Sequence, residues 1–129
     1  MAHKRTNPPG MRPPGGSYTH SIEIAPGARW LYVAGQTGVD VDGNVPEGIE
    51  AQSDIAFSNM VKVLEASGFG LGDVVFMKSF LTRREDRDGY QKVRSQFWGD
   101  IKPASTFLLV QGLARPEFLV EVEAVAAKE

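Results

Sequence analysis

From Tyr18 the chain alternates with period two. Tyr18, His20, Ile22 and Ile24 share one side, and Thr19, Ser21 and Glu23 share the other, as in a half-exposed strand. The Pro26-Gly27 turn leads into Arg29–Gly35, rich in aromatic and branched residues. The two segments therefore predict a hairpin ending in the loop Gly35-Gln36-Thr37-Gly38. After a second turn at Val41–Val45 the period changes. Between Gly48 and Ser67, Ala56, Phe57, Met60, Val61 and Leu64 recur on one helical stripe, and Gly68 stands where a left-handed residue would end it. Asp73–Thr82 reads as a strand, and Asp86–Trp98 as a second helix with Tyr90, Val93 and Phe97 on its apolar side. Ser105–Gln111 and Phe118–Ala126 read as two closing strands, joined by Gly112–Pro116. Ahead of all this, residues 1–16 hold Pro8, Pro9, Pro13 and Pro14 among glycines. Missing amide donors there predict an arm without regular pairing, preceding a single domain over 17–129.

The order β-β-α-β-α-β-β predicts an α+β fold: a mixed sheet of about six strands with two helices on one face. The other face has no cover of its own. Phe107–Val110 and Val74–Met77 are nevertheless apolar on both sides, the pattern of strands buried twice over. A closed symmetric oligomer is the expected remedy, because so large an apolar area is rarely left in water.

Composition narrows the function classes. The chain has 129 residues, 42% hydrophobic and 23% charged, which suits one globular domain and excludes global disorder. A net charge of −2, without a basic stripe, argues against nucleic acid as a partner. No cysteine and two histidines, His3 and His20, leave no thiol nucleophile and no multi-histidine metal set, so no metal and no cofactor is expected. No apolar run approaches a membrane span, and the basic start lacks an apolar leader core, so the chain reads as cytoplasmic.

Among chemistry-bearing residues, Glu121 and Glu123 project from one side of the last strand while Val120, Val122, Ala124 and Ala126 take the other. At about 7 Å apart, one carboxylate could handle a proton if that face is buried between subunits; an exposed face or an ion pair is the alternative. Tyr18 offers a phenol just after Gly15-Gly16. Gly35 and Gln36 offer a backbone amide and a side-chain amide to a ligand carboxylate. Arg115, beside Pro116, could clamp a carboxylate bidentately. The segment Arg83–Asp88 alternates in sign and reads as a solvated helix start.

These residues resemble the YjgF/RidA family of small homotrimers with a chorismate-mutase-like fold, a family whose names include endoribonuclease L-PSP. The resemblance is carried by Gly16-Ser17-Tyr18, Tyr32–Gln36, Asn59–Gly68, Pro103–Thr106 and above all Leu119–Ala126. It implies clefts between subunits that take a small-molecule ligand, a carboxylate or imine, and in active members a hydrolase that deaminates reactive enamines and imines such as 2-aminoacrylate without a cofactor. Carried over by position, Tyr18 is the cleft tyrosine, Gly35 the glycine near the ligand carboxylate, and Glu121 the catalytic glutamate that positions water. Three positions depart. Ser105 stands where the family has the carboxylate-binding arginine, Ala34 replaces a serine, and Gln91 an asparagine. A serine supplies no cationic fork. The leading expectation is thus a trimer that binds some other small metabolite. The alternative is a working imine deaminase with Arg115 as the cation, and RNA cleavage comes third.

Overall fold

The computed structural model describes residues 2–129. In chain order the elements are β1 (Lys4–Thr6), β2 (Ser21–Glu23), β3 (Arg29–Thr37), α1 (Ile49–Ala66), β4 (Val74–Leu81), α2 (Arg87–Trp98), β5 (Ala104–Leu109) and β6 (Val120–Lys128). The strands number six, but they divide into a four-stranded sheet ordered β3-β6-β4-β5 and a separate β1-β2 pair. β4 and β5 run parallel, joined through α2, while β6 is antiparallel to both β3 and β4. The sheet is mixed and both helices pack on one face, as the sequence led us to expect.

Three local expectations need correcting. β2 does not form a hairpin with β3; it pairs with β1, Arg5 opposite Ile22. Ile22 is the only apolar residue in β2, so docking that segment on the main sheet would bury almost nothing. The arm expected over 1–16 is correspondingly not free of pairing within its described residues 2–16. Their strand Lys4–Thr6 is held to the body by His3, whose Nδ1 accepts from Ala25 N at 2.9 Å and whose Nε2 donates to Ala127 O at 2.9 Å. Finally, Gln36 and Thr37 lie within β3 rather than in a loop, beyond a bulge at which Val33 opposes Ala124 but Gln36 opposes Val122.

α1 ends as its glycine foretold. Gly68 has φ 80°, its N–H reaches Glu65 O at 3.0 Å, and Phe69 N reaches Leu64 O at 2.9 Å, a Schellman closure in which buried Phe69 packs near Leu64. The core fills the space between helices and sheet. Phe57 is fully buried, with ring centroids of Tyr90, Phe97 and Trp98 at 5.8, 5.5 and 6.2 Å. From the sheet, Val120, Val122, Ala124, Ala126, Met77 and Leu81 point to the same side. Tyr90 hydrogen-bonds Ser79 beneath it, tying α2 to β4; burial pushes the Tyr90 phenol above its usual pKa, against the pull of that bond.

The opposite face carries Tyr32, Phe76, Phe80, Leu108 and Val125, in pleat with Lys78, Glu121 and Glu123. Tyr32 is 75% exposed and Leu108 41%, so this apolar face is open in the single chain. Among the described residues no helix is long and apolar enough to cross a membrane.

Candidate functional site

Ser17 and Tyr18 are set in place by the next residue. Thr19 N donates to Pro103 O at 3.2 Å and Thr19 Oγ1 to Lys102 O at 2.7 Å, which lays Tyr18 against the start of β5. The Tyr18 ring meets His20 edge-on at 5.5 Å. From the other side α2 presents Gln91 and Arg94. Together Ser17, Tyr18, Gln91, Arg94, Ser105 and Phe107 line a recess of about 340 Å³. Three of the residues expected from sequence, Tyr18, Gln91 and Ser105, are thus brought together.

Sequence reasoning missed the fourth. Arg94 is only 5% exposed. Its Nη2 donates to Ser17 O at 3.0 Å and reaches Ser105 Oγ at 3.5 Å, while its Nε has no partner. Among the described residues no carboxylate pairs with it. Burial pulls its pKa below the usual arginine value, and Tyr90 opposes this only in part. A buried guanidinium without an anion is costly, so the arrangement favours whatever anion enters. The signal was present in the pattern: Arg94 falls four residues after Tyr90 and three before Phe97, on the stripe α2 buries.

The other expected residues lie elsewhere. Ser105 pairs with Met77 and Glu121 with Phe80. Positions 77 and 80 of one strand point to opposite faces, so Glu121 projects from the open side, away from the recess. Gly35 is beside it. A Cβ on Gly35 would collide with the Glu121 carboxylate, so the bulge and the missing side chain make room for that acid. Thr37 and Phe80 are its cross-strand neighbours. Glu123, two residues on, is already matched to Lys78 at 3.9 Å. Gln36 turns its amide back onto Ala34 O at 3.0 Å. Arg115 is paired with Glu117 at 3.0 and 3.3 Å and lies over Phe118; that bond holds the Glu117 carboxyl below its usual range. It does not line the recess. No group of three histidine, cysteine or acidic side chains suited to a metal occurs among the described residues.

The family model for endoribonuclease L-PSP matches residues 10–128. This chain belongs to that family, the one also called RidA or YjgF. A RutC family protein of Pyrococcus horikoshii is 31% identical over 118 residues, spanning 90% of each chain. A 2-iminobutanoate/2-iminopropanoate deaminase of Dermatophagoides farinae is 30% identical, over 90% of this chain and 89% of its own. Among solved structures, YyfB of Yersinia pestis, a conserved Rid family protein, superposes with a TM-score of 0.86 at 28% identity, covering 99% of this chain and 100% of that one.

In this RidA-family chain, Ser105→Arg is expected to destabilise. The new guanidinium would start from the strand position whose hydroxyl Arg94 already approaches at 3.5 Å, and two like charges in one half-buried recess should cost about 1 to 2 kcal/mol. Urea midpoints by circular dichroism check this, with Ser105→Arg/Arg94→Ser expected to recover most of the loss by removing one of the two adjoining guanidinium groups. A single variant as stable as the wild type would contradict the placement.

Proposed function

We propose that the protein binds a small carboxylate-bearing imine in clefts between copies of the chain, as a homotrimer, and hydrolyses it to the 2-keto acid and ammonia. The observation that carries this reading is Arg94, a buried cation without an anion among the described residues, beside Ser105, the position at which the resemblance would place an arginine. It answers the difficulty the sequence posed, from the helix instead of the strand. Support for the cleft comes from the sheet, whose two faces divide the residues. Tyr18, Gln91, Arg94 and Ser105 lie in the recess, Gly35 and Glu121 on the open face. A second copy laying its open face against the recess would join the two halves and cover Tyr32 and Leu108.

In that cleft Arg94 holds the ligand carboxylate through a charge-assisted pair, and the Tyr18 hydroxyl and the Gln91 amide orient the imine. Glu121 of the second copy takes a proton from water as the oxygen adds to the imine carbon. That proton is returned to nitrogen as it receives the C=N π pair, giving a carbinolamine; the hydroxyl proton of the carbinolamine then passes to the same nitrogen, the C–N bond breaks, and ammonia leaves as the oxygen becomes the keto group. One C–O bond forms, one C–N bond breaks, and nothing is oxidised or reduced.

The test is ammonia release from enzymatically generated 2-aminoacrylate. Acceleration over buffer is expected. Glu121→Gln should cut the rate by about a hundredfold, within the range for a lost general base, and Glu123→Gln, which frees only Lys78, by less than about threefold. Light scattering should report three chains per particle. No acceleration, or equal losses in the two variants, would overturn the proposal.

A further inference from the structure

The Arg83–Asp88 segment does not divide its charge evenly. Arg83 is engaged, Nε to Asp86 Oδ2 at 2.8 Å and Nη2 to Oδ1 at 2.9 Å, with Glu85 at 3.9 Å. That bond holds the Arg83 pKa above its usual value. Arg84 and Arg87 have no carboxylate partner among the described residues. With Phe107 and Leu109 they line a second recess, of about 320 Å³. Arg87 and Phe107 belong to both recesses, so the two form one trough. Arg87 Cζ lies 6.0 Å over the Phe107 ring. Along α2, Arg87 and Arg94 are seven residues apart, two turns on one side of the helix and about 10 Å along its axis.

The trough therefore has Arg94 at one end and Arg84 at the other, with Arg87 over the Phe107 ring between them. A single multiply charged group would need the cations together. Separate cations flanking Phe107 and Leu109 instead match two acidic groups joined by a short carbon chain. We propose that the site selects a dicarboxylate, its first carboxylate on Arg94 and its second on Arg84 and Arg87. This rests on the reading that the recess is the ligand site, and it adds which members of the keto-acid and imine class are preferred.

Isothermal titration calorimetry on the full chain with two stable probes, 2-oxoglutarate and 2-oxobutanoate, tests it. The dicarboxylate should bind about ten- to a hundredfold tighter, the range for one added charge-assisted contact. In Arg84→Gln/Arg87→Gln that ratio should fall below threefold. Lys92→Gln removes a cation of the same helix that is paired with Glu50 at 3.1 Å outside the trough, and should keep the ratio. If both probes bind the wild type with a ratio under threefold, or the double variant keeps the preference, the second subsite is wrong while the functional reading stands. If Lys92→Gln lowers the ratio as much as the double variant does, the preference is a general field effect and the assignment fails. If neither probe binds, the ligand site itself is overturned.

Discussion

Arg94→Gln is expected to weaken 2-oxobutanoate binding by about a hundredfold while leaving the fold as stable as before, or more so. The two effects have one origin. The guanidinium is 5% exposed, one of its nitrogens is orphaned, and its acceptors among the described residues are neutral, Ser17 O and Ser105 Oγ. Folding therefore strips the charge of water without supplying an anion, which is why burial depresses its pKa. A ligand carboxylate supplies the anion, and losing a buried charge-assisted pair costs about 2 to 5 kcal/mol. Glutamine retains a donor for Ser17 O and removes the charge. An arginine that merely braced α2 against β5 would behave oppositely, with stability falling and affinity following only through unfolding. Titration calorimetry and the thermal midpoint separate the two. Affinity within threefold of wild type, or a stability loss above about 2 kcal/mol, would make Arg94 a strut.

Gln52→Leu is expected to be the most destabilising of these substitutions, at about 3 kcal/mol. Gln52 is 2% exposed on the core stripe of α1. Its Nε2 donates to Pro46 O at 3.0 Å and Glu117 O at 2.9 Å, and its Oε1 accepts from Leu119 N at 2.8 Å. One side chain thus satisfies backbone groups from the approach to α1 and from the approach to β6. Leucine fits the volume but leaves three backbone groups in half-buried hydrogen bonds unpaired, each worth about 1 kcal/mol. Because Leu119 directly precedes Val120 and Glu121, the start of β6 should loosen as well. Chemical unfolding at fixed protein concentration gives the stability loss, and hydrogen exchange at Leu119 locates it. A loss below about 1 kcal/mol would mean that water replaces the amide.

Much of this molecule was legible in its pattern. Both helices, the closing glycine at 68, the strands at 29, 74, 104 and 120, and the open second face follow from periods of two and 3.6, which are local properties of the chain. The resemblance carried by Leu119–Ala126 gave the family. What pairs with what was not legible. The short strand after Tyr18 reads as the partner of its neighbour in sequence, yet Lys4–Thr6 takes that place, because Ile22 alone offers too little apolar area to reward docking on the main sheet.

The site was half legible for the same reason. Tyr18, Gly35, Ser105 and Glu121 could be named one by one, but a single step of pleat parity decides which face each occupies. That parity becomes known only once β5 is registered against β4 and β4 against β6. Arg115 and Arg94 show the limit most plainly. Arg115 sits in a turn and Arg94 within a helix, and the sequence favours the first because it sits beside the closing strands. In the fold Arg115 is spent on Glu117, two residues away, while Arg94 is carried by the packing of α2 against β5 to the hydroxyl of Ser105. Amino-acid order determined the elements, the uncovered face and the absence of a cation on β5. Tertiary structure alone decided that a cation arrives there from a helix, because contacts between segments distant in the chain depend on which buried stripe meets which strand.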